Sequence, residues 1–504
     1  MTAGTTPGGR PNILWICTDQ QRWDTVGALG NTHIRTPAVD ALCQGGTAFR
    51  RAYTQSPICT PSRASMLTGR YPASHHVYRN GNDHFPPGEV LVTKLLADAG
   101  YDCGLIGKLH LSAAKYHEKR TDDGYRVFHW NHHPTPDAAR GDAYEHWLRH
   151  EKRVDPQALY RDKGAFCGPG VPAEFHQSTW CGEMAVRFVT DRRDGPWCLS
   201  LNFFDPRAPF DAPPEALARM DASKLPLPLW RASDAERWRD FERVDQQQKK
   251  PVDPTIRRTA APAPPPAVRD HDVAPQVRDH DKVASHVPDD YDALQVKANY
   301  YAMIEHIDAQ VARILDALRA TGQLENTIVL YHSDHGEMLG DHGLVLKGCR
   351  FFDGLVRVPM VWSCPGRFRQ DLASDALVEL VDIAPTLLDA AGIEVPWFMQ
   401  GRSLLPILEG RANPHTHKTH VVSEFKDSIG GHPDHSHGSM VFDGRFKSVV
   451  YHGHEVGEIF DHASDPGEFD NLWHDAPLRA DRLKAHLDAL AATISAGPPR
   501  SALY

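Results

Sequence analysis

The sequence predicts an α/β fold, with a large, mixed, mostly parallel sheet flanked by helices and a smaller C-terminal α+β domain. Short apolar runs that end abruptly in polar residues recur along the chain: NILWICT precedes Asp19, and TIVLY precedes His332. Continuous apolar runs of this length are typical of parallel strands that are buried on both faces. Open sheets of this class carry their functional sites at the carboxyl ends of the strands.

The predicted elements follow one another in a regular order up to residue 408. The helix predicted at 291–318 has an apolar stripe at helical spacing, which indicates that it packs against the core. Gly100 suits the end of an earlier helix. We predict strands at 12–18, 47–53, 101–106, 197–204, 327–331 and 359–364, and helices at 36–46, 89–100, 291–318 and 376–391.

We predict a first domain at 11–408, which ends with the QGRSLLPIL run. Residues 409–504 differ in composition and pattern and are predicted to form a second domain. Within the first domain, the segment 205–289 is rich in proline and charge and contains VRDHD twice, at 268–272 and 277–281. We interpret this segment as an insertion over the core, near the mouth of a site or at a subunit contact. In the second domain we predict short strands at 421–425, 440–442, 446–451 and 458–461 and a closing helix at 478–494.

Two histidine-rich stretches leave alternatives open. His271, Asp272, His280 and Asp281 in the insertion could bind a metal, but a solvated polar loop is the favoured interpretation. The stretch 415–437 could bring an imidazole ring to a pocket of the first domain, and a solvated loop explains its composition equally well.

Composition excludes several classes of protein. The 504 residues, of which 41% are hydrophobic and 24% charged, suffice for a large core. A net charge of -10 disfavours a nucleic-acid binder held by phosphate contacts. The nine cysteines include no C-x-x-C pair, which disfavours a zinc site, and their odd number disfavours a disulfide framework. Because no segment has the apolar run of a signal peptide or a membrane span, we expect a cytoplasmic protein without a membrane partner. From the size of the chain we expect a homo-oligomer, either a dimer or a tetramer.

The stretch CTPSRASMLTGRY, which begins at Cys59, is the motif that indicates chemistry. Pro61 suits the first turn of a helix and Ser62 can cap it, so Cys59 is predicted near the positive end of that helix, where an anionic group is favoured. Arg63 adds a fixed positive charge whose fork geometry suits the oxygens of a sulfuryl or phosphoryl group. A helix-terminal cysteine with a structural or redox role is the alternative interpretation.

Cys59, Pro61, Ser62 and Arg63, with the LTGRY that follows, resemble the signature of the formylglycine-dependent sulfatases. That family belongs to the alkaline phosphatase superfamily, whose branches include arylsulfatases, choline-sulfatases and phosphonate monoester hydrolases. The resemblance therefore implies an alkaline phosphatase-like fold. It also implies that a maturation enzyme oxidises Cys59 to formylglycine, an aldehyde whose hydrate is the nucleophile. FDGRFKSVV and IFDHASDPGEFDNLW in the second domain resemble the C-terminal segment of the same family.

Two predicted strand ends supply a set of metal ligands. Asp19 and Gln20 follow the first strand, and Asp334 and His335 follow a later one. Their oxygens and one imidazole suit a hard divalent cation rather than zinc, so we expect Ca²⁺, with Mn²⁺ or Mg²⁺ as alternatives. In the family the corresponding positions are metal ligands, and oxidised Cys59 would join them. Relatives often carry aspartate at the position of Gln20 and asparagine at that of His335; the residues found here resemble those of the choline-sulfatase and phosphonate-hydrolase branches. The alternative to a metal site is that Asp19 and Asp334 only cap local backbone structure.

The resemblance implies further site residues. Lys108 and His110 in GKLHLS match the family's G-K-x-H motif, whose side chains contact the substrate oxygens and the nucleophile. Lys347 matches the family lysine that reaches the transferred group, and Asn80 resembles a position that contacts substrate. A site with several fixed cations around one small anion indicates that the anion is the group that reacts there. A solvated lysine at 347 and a turn-forming asparagine at 80 are the alternatives.

The chain departs from the family in DPRAPFD, where Arg207 stands at a position at which many relatives carry a histidine. That histidine binds the sulfate or protonates the leaving group. Because arginine cannot usefully donate a proton near neutral pH, there are two alternatives. Either His110 or Lys347 acts as the general acid, or the leaving group needs little help, as an aryl oxide would.

The predicted function is the hydrolysis of a small-molecule sulfate monoester, preferably an aryl sulfate. The resemblance implies attack of hydrated formylglycine on sulfur, followed by breakdown of the resulting sulfate ester. The same metal set suits a phosphonate monoester or phosphodiester hydrolase, or an enzyme that performs both reactions, but Lys108 and His110 favour sulfate. A non-enzymatic alternative is an inactive relative that binds sulfated ligands and keeps Cys59 as a thiol.

Overall fold

The structure is a computed structural model, and it describes residues 9–80, 82, 84–112, 118–133, 142–161, 163, 166–244, 250–257, 291–427 and 436–494. The strands are β1 Asn12–Thr18, β2 Gly46–Tyr53, β3 Asp102–Gly107, β4 Val127–Trp130, β5 Trp197–Asn202, β6 Thr327–Ser333, β7 Arg357–Val358, β8 Met360–Ser363, β9 Leu372–Glu379, β10 Val421–Asp427, β11 Ser436–Phe442, β12 Phe446–Tyr451 and β13 Gly457–Asp461.

The α-helices are α1 Pro37–Gln44, α2 Cys59–Thr68, α3 Pro72–His75, α4 Val92–Asp98, α5 Ala143–His150, α6 Pro156–Tyr160, α7 Gln177–Thr190, α8 Pro214–Leu217, α9 Ala232–Trp238, α10 Ala293–Ala320, α11 Asp353–Val356, α12 Ile383–Ala390, α13 Leu405–Leu408 and α14 Ala476–Ala492. Short 3₁₀ helices lie at Gly27–Leu29, Ala173–Phe175, Ala222–Lys224, Arg239–Phe241, Leu324–Asn326, Asp341–Gly343, Leu380–Asp382 and Leu472–His474.

A nine-stranded sheet forms the centre of the first domain, in the order β4-β3-β5-β1-β6-β8-β2, with β7 and β9 both paired to β2. All neighbours from β4 to β6 are parallel, and β8 lies antiparallel between β6 and β2. The residues of β5 and β6 are buried on both faces, as continuous apolar runs predict. The predicted mixed, mostly parallel α/β sheet is confirmed.

Helices cover both faces of this sheet, and alternate residues of β1 show how. Leu14 and Ile16 point into one apolar core, to which α1, α7 and the 28-residue α10 also contribute. Ile13 and Trp15 point into the core on the opposite face, which is shared with α2, α4 and α12. Because side chains alternate along a strand, a strand buried on both sides must be apolar throughout.

The second domain is built on a four-stranded antiparallel sheet in the order β10-β11-β12-β13, with α14 packed on β11 and β12. His486 of α14 is buried, and its ring lies within hydrogen-bonding distance of the hydroxyls of Ser439 and Ser448, at 2.9 and 3.0 Å. A smaller α+β domain is therefore confirmed. The boundary that we place at residue 408 stays a prediction.

One predicted helix is partly wrong. The stretch 376–391 begins as the end of β9, where Val378 and Glu379 pair in parallel with Ala52 and Tyr53 of β2. A 3₁₀ turn follows, and only Ile383–Ala390 is α-helical. Pairing with β2 overrides the local helical preference of the residues before 380.

Parts of the two histidine-rich stretches can be located. The VRDHD repeat, with His271, Asp272, His280 and Asp281, lies outside the described residues. In the stretch 415–437, the His417 ring lies 3.4 Å from the buried Asp382 carboxylate, and His437 packs on the ring of His452 with 4.2 Å between centroids. The described helices include none with the length and apolarity needed to cross a bilayer.

A buried ion cluster holds the second domain against the first. The ammonium group of Lys418 contacts Glu379 and lies 2.7 Å from Asp382, and both carboxylates are fully buried. Tyr71 donates its hydroxyl to Glu379 at 2.5 Å, and the backbone N–H of Val422 donates to the same carboxylate at 2.8 Å. Burial raises the pKa of Asp382, but Lys418 outweighs it and holds that pKa well below its ordinary value.

Replacement of Lys418 by methionine is expected to lower the free energy of unfolding by about 3 kcal/mol, because two buried carboxylates lose their counter-charge. The control is Lys484→Met, which removes an ammonium group that is 80% exposed and lies 3.1 Å from Asp488. That change is expected to cost less than about 0.5 kcal/mol. Urea denaturation followed by tryptophan fluorescence measures both, and equal effects of the two substitutions would contradict the account.

Candidate active site

The carboxyl ends of β1 and β6 lie side by side. Thr18, the last residue of β1, pairs with Ser333, the last residue of β6, so that Asp19 and Asp334 follow at adjacent positions. The backbone N–H of Asp334 donates to Thr18 O at 3.2 Å, and the backbone N–H of Gln20 donates to the Asp334 carboxylate at 3.0 Å. The parallel register therefore brings together two aspartates that are far apart in the sequence.

The ends of β3 and β5 complete this edge of the sheet. Asn202, the last residue of β5, pairs with Cys17 of β1 on one side and with Gly107 of β3 on the other. Gly107 has a φ of +94°, and a Cβ there would lie 1.9 Å from Asn202 O, so only glycine fits this crossing. Lys108 follows directly, and its backbone N–H donates to Asn202 O at 3.2 Å.

Helix α2 starts at Cys59 itself and is buried along its whole length. The N-cap position is occupied by Ile58, whose side chain cannot cap the helix, and not by Ser62. The predicted capping by Ser62 is therefore wrong. Ser62 lies inside the helix and donates its hydroxyl to Asp334 O at 2.6 Å, which ties α2 to the end of β6. Gly69, with a φ of +68°, ends the helix. Cys59 thus lies at the positive end of the helix dipole.

Four of the predicted metal ligands form one buried cluster, and Gln20, the fifth, follows Asp19 and donates its backbone N–H to Asp334. Single ligand atoms of Asp19, Cys59, Asp334 and His335 all lie within 4.8 Å of one another. Gln20 is 1% exposed, and among the described residues its Oε1 atom has no hydrogen-bond partner. A buried carbonyl oxygen without a donor is costly unless it meets a cation. Carboxylate and amide oxygens with one imidazole therefore fit a hard divalent cation.

Arg63 is fully buried and joins the two carboxylates. Its Nε donates to Asp334 at 2.9 Å and its Nη2 to Asp19 at 3.3 Å, while Nη1 donates to Lys108 O at 3.0 Å and to Asn202 Oδ1 at 3.4 Å. Its donors thus contact protein groups from neighbouring strand ends. In this arrangement Arg63 offsets the charge of the carboxylates, and its contact with a substrate stays a prediction.

Cys59 lies among cations. The Nζ atom of Lys347 is 2.9 Å from its Sγ, and the Nε2 atom of His335 is 3.2 Å from the same sulfur. Lys108 contacts Asp19, which lies beside Cys59. Burial raises the pKa of the Cys59 thiol, but the nearby cations of Lys108 and Lys347 outweigh it and hold that pKa well below its ordinary value. The site therefore favours an anionic group at this position.

His110 occupies a left-handed backbone conformation, with a φ of +57°. The buried Glu118 carboxylate accepts the backbone N–H of His110 at 2.8 Å, together with those of Leu111 and Ser112, and so holds this strained turn. The ring of His132 lies edge-on against the His110 ring, with 4.5 Å between centroids. His132 was not predicted, because no motif around it marks a site.

Asn80 and Arg207 lie beside the cluster rather than in it. Asn80 accepts the backbone N–H of Thr60 at 3.0 Å, which caps the first turn of α2. The guanidinium of Arg207 lies 5.2 Å from the centroid of the Phe204 ring, and the Lys108 ammonium lies 5.6 Å from the same centroid. Substrate contact by Asn80 and Arg207 stays a prediction.

Sequence reasoning missed two further residues. Asn202 lies inside the strand predicted at 197–204, whereas the structure ends that strand at Asn202; a polar residue within the apolar run was the signal that could have identified it. Glu337, in DHGEMLGDHG, is fully buried and accepts a hydrogen bond from the side-chain amide of Gln20. Its neighbours Asp334 and His335 were recognised, but no spacing rule links Glu337 to Gln20.

Comparison with family models decides the relationship. The model described as Sulfatase matches residues 11–393. The chain belongs to the sulfatase family. A second model, described as N-sulphoglucosamine sulphohydrolase, C-terminal, matches residues 340–493 of this sulfatase-family chain. The resemblance that begins at Cys59 is thereby confirmed over both domains.

Similar proteins cover nearly the whole length. An arylsulfatase of Clostridium perfringens is 30% identical, over 95% of this chain and 93% of the relative. The multifunctional alkaline phosphatase superfamily protein PehA of Trinickia caryophylli is 28% identical, over 94% and 93%. The crystal structure of the phosphonate monoester hydrolase of Agrobacterium radiobacter superimposes with a TM-score of 0.76 at 26% identity, covering 96% of this chain and 95% of that one. The predicted alkaline phosphatase-like fold of this family member is confirmed.

Proposed function

We propose that the chain is a sulfuric ester hydrolase that prefers aryl sulfate monoesters and uses the oxidised side chain of residue 59. The observation that carries the proposal is the meeting of Cys59 with two carboxylates and with Lys347 at the ends of β1 and β6. Membership of the sulfatase family and the arylsulfatase relative support the reaction class. Fixed positive charge around a small anion stabilises the charge that develops on its oxygens.

The described residues suggest a division of roles. Asp19, Gln20, Asp334 and His335 would hold a divalent cation, which when bound lowers the pKa of a hydroxyl at residue 59 and draws charge from the substrate oxygens. After a maturation enzyme has oxidised Cys59 to formylglycine, its hydrate would supply that hydroxyl. The other residues of the site act on the sulfuryl group and on the leaving oxygen.

We assign the binding of the sulfuryl group to two lysines. Lys347 has its Nζ 2.9 Å from the sulfur of residue 59, close to where the transferred group must sit. Lys108 contacts Asp19, and its ammonium group faces the Phe204 ring. Because both lysines are more than nine-tenths buried, their charge is weakly screened by solvent. These cations favour a sulfate monoester, which spreads its one negative charge over three non-bridging oxygens and can therefore contact several cations at once.

A phosphonate monoester or phosphodiester hydrolase is the second candidate, and an enzyme with both activities combines the two. It is favoured by the ligand pair Gln20 and His335 and by the structural similarity to a phosphonate monoester hydrolase. These substrates also carry one negative charge, but on two non-bridging oxygens, because a carbon or a second ester group replaces the third. They would use the same metal set but fewer of the surrounding cations.

Turnover of three substrates tests the proposal. The protein is produced with a formylglycine-generating enzyme, and 4-nitrophenyl sulfate, an alkyl sulfate and 4-nitrophenyl phenylphosphonate are compared by kcat/KM. We expect the aryl sulfate to react at least about 100-fold faster than the alkyl sulfate, since no strong proton donor stands at position 207. Faster cleavage of the phosphonate would reverse the order of the two candidates. Binding of a sulfate ester without turnover, by protein in which Cys59 stays a thiol despite the maturation enzyme, would instead support an inactive binder.

Arg207→His is expected to narrow the gap between aryl and alkyl sulfates by about tenfold, because an imidazole near neutral pH can protonate an alkoxide leaving group and a guanidinium cannot. The measurement is the ratio of kcat/KM for the two substrates. Arg207→Gln is the matched control, because it removes the charge without adding a proton donor. An unchanged ratio in Arg207→His would show that position 207 does not face the leaving oxygen.

A further inference from the structure

The side-chain amide of Gln20 poses a problem of orientation. Its oxygen and nitrogen are nearly the same size, but only the oxygen can bind a cation. Gln20 is fixed at its backbone, where its N–H donates to Asp334 at 3.0 Å and its carbonyl oxygen accepts the Tyr300 hydroxyl at 2.6 Å. These contacts position the residue but do not determine which end of the amide faces the cluster.

Contact with Glu337 determines which end of the Gln20 amide faces the cluster. One of its carboxylate oxygens accepts the Nε2 group of Gln20. The other accepts the backbone N–H of Leu339 at 3.0 Å and that of Leu346. A guanidinium nitrogen of Arg22 donates to the backbone oxygen of Glu337 at 2.8 Å. The carboxylate is fully buried and held from both sides, and it offers Gln20 an acceptor only.

We propose that Glu337 is a positioning residue that fixes the Gln20 amide with its Oε1 atom facing the cation. The inference rests on the metal site of the proposed function. It accounts for a Gln20 Oε1 atom that is buried and, among the described residues, without a hydrogen-bond donor. Because Leu346 precedes Lys347, the same carboxylate also joins the metal-ligand cluster to the loop that carries a substrate-binding lysine. Groups that orient a metal ligand in this way commonly set metal affinity.

The pair also explains why an amide suits position 20. A carboxylate there would face the buried Glu337 carboxylate at hydrogen-bonding distance, and two such groups cannot both be ionised without a large penalty. An amide at 20 and a carboxylate at 337 are therefore matched, with one donor facing one acceptor. Exchanging the two side chains should preserve both the match and the total charge.

The first test is Glu337→Gln, with Mn²⁺ titrated into chelator-treated protein by calorimetry. The amide introduced at position 337 would keep its oxygen on the backbone N–H groups of Leu339 and Leu346 and turn its NH₂ group towards Gln20. Gln20 must then flip and present its own NH₂ group to the cation. We expect Mn²⁺ affinity to fall by at least about tenfold. Wild-type affinity in this variant would overturn the proposal.

The exchange variant Gln20→Glu/Glu337→Gln provides the decisive comparison. There the amide at position 337 donates to one oxygen of the carboxylate at position 20, and the other oxygen of that carboxylate faces the cation. We expect Mn²⁺ affinity to return to within about threefold of wild type, which is well inside the loss expected for Glu337→Gln. A purely structural role for Glu337 predicts no such recovery. An exchange variant that binds no better than Glu337→Gln would overturn the proposal.

Two further measurements separate the possible failures. Glu458→Gln, which places an amide at a buried carboxylate bound to Arg350 and Tyr451 in the second domain, should leave Mn²⁺ affinity unchanged. If Glu337→Gln does not fold, the proposal requires that the exchange variant folds, and an exchange variant that is also unfolded contradicts it.

Absence of Mn²⁺ binding by the wild type would refute the metal site itself, whereas wild-type binding with an unaffected Glu337→Gln refutes only this inference.

Discussion

Replacement of Cys59 by alanine is expected to lower kcat/KM for an aryl sulfate by about 10⁴-fold or more, because in the proposed function this side chain supplies the nucleophile. The sulfur of Cys59 lies at the start of α2, 2.9 Å from Lys347 and 3.2 Å from His335. The measurement is turnover of 4-nitrophenyl sulfate by protein produced with the maturation enzyme.

A second buried cysteine provides the control. Cys43 lies in α1, and burial raises the pKa of its thiol to about 12. Cys43→Ala should keep wild-type kcat/KM within about threefold, since substitutions away from a site act mainly through stability. Comparable losses in the two variants would mean that Cys59 contributes only to packing. Full activity of Cys59→Ala would refute the nucleophile assignment.

Asp334→Asn is expected to reduce kcat/KM by about 10³-fold and to weaken divalent-metal binding, because it removes one of two negative charges from the cluster. The Asp334 carboxylate accepts Arg63 Nε at 2.9 Å and the backbone N–H groups of Gln20 and His335 at 3.0 and 2.9 Å. The NH₂ group of an asparagine at this position would face one or more of these donors and could not accept their hydrogen bonds. Activity and metal content, before and after chelation and addition of Mn²⁺ or Ca²⁺, measure both effects.

Asp308 offers a matched control in α10. Its buried carboxylate also accepts two backbone N–H groups, from Ala38 at 3.1 Å and Val39 at 2.9 Å, but it belongs to the helical layer rather than to the strand ends. Asp308→Asn should leave the metal content of the purified protein unchanged. If both substitutions abolish metal binding equally, loss of metal reflects general destabilisation and not loss of a ligand.

The fold could be predicted where a local pattern and tertiary packing agree. The run NILWICT is apolar on both faces because β1 is buried between two helical layers, and the sequence shows that directly. The stretch 376–391 shows the opposite case. Its first residues form β9 because they pair with β2, and that partner lies more than 300 positions away in the chain, so no local pattern could reveal it.

The candidate site was predicted from strand ends and a motif, and its internal contacts were not. That Asp19 and Asp334 lie side by side follows once β1 and β6 are known to be parallel neighbours. The contacts of Arg63 with both carboxylates, and of Glu337 with Gln20, depend on side-chain directions at separate elements. Such contacts have no sequence spacing of their own, which is why residue types alone suggested a substrate role for Arg63.

Anomalous diffraction from crystals of the mature protein grown with Mn²⁺ tests whether the two strand ends and residue 59 share one divalent cation. We expect a single manganese peak at coordination distance from the carboxylates of Asp19 and Asp334, the Oε1 atom of Gln20 and the Nε2 atom of His335, with electron density for an oxidised side chain at residue 59 beside it. A cluster without manganese, or a manganese peak elsewhere with an unmodified thiol at residue 59, would contradict this expectation.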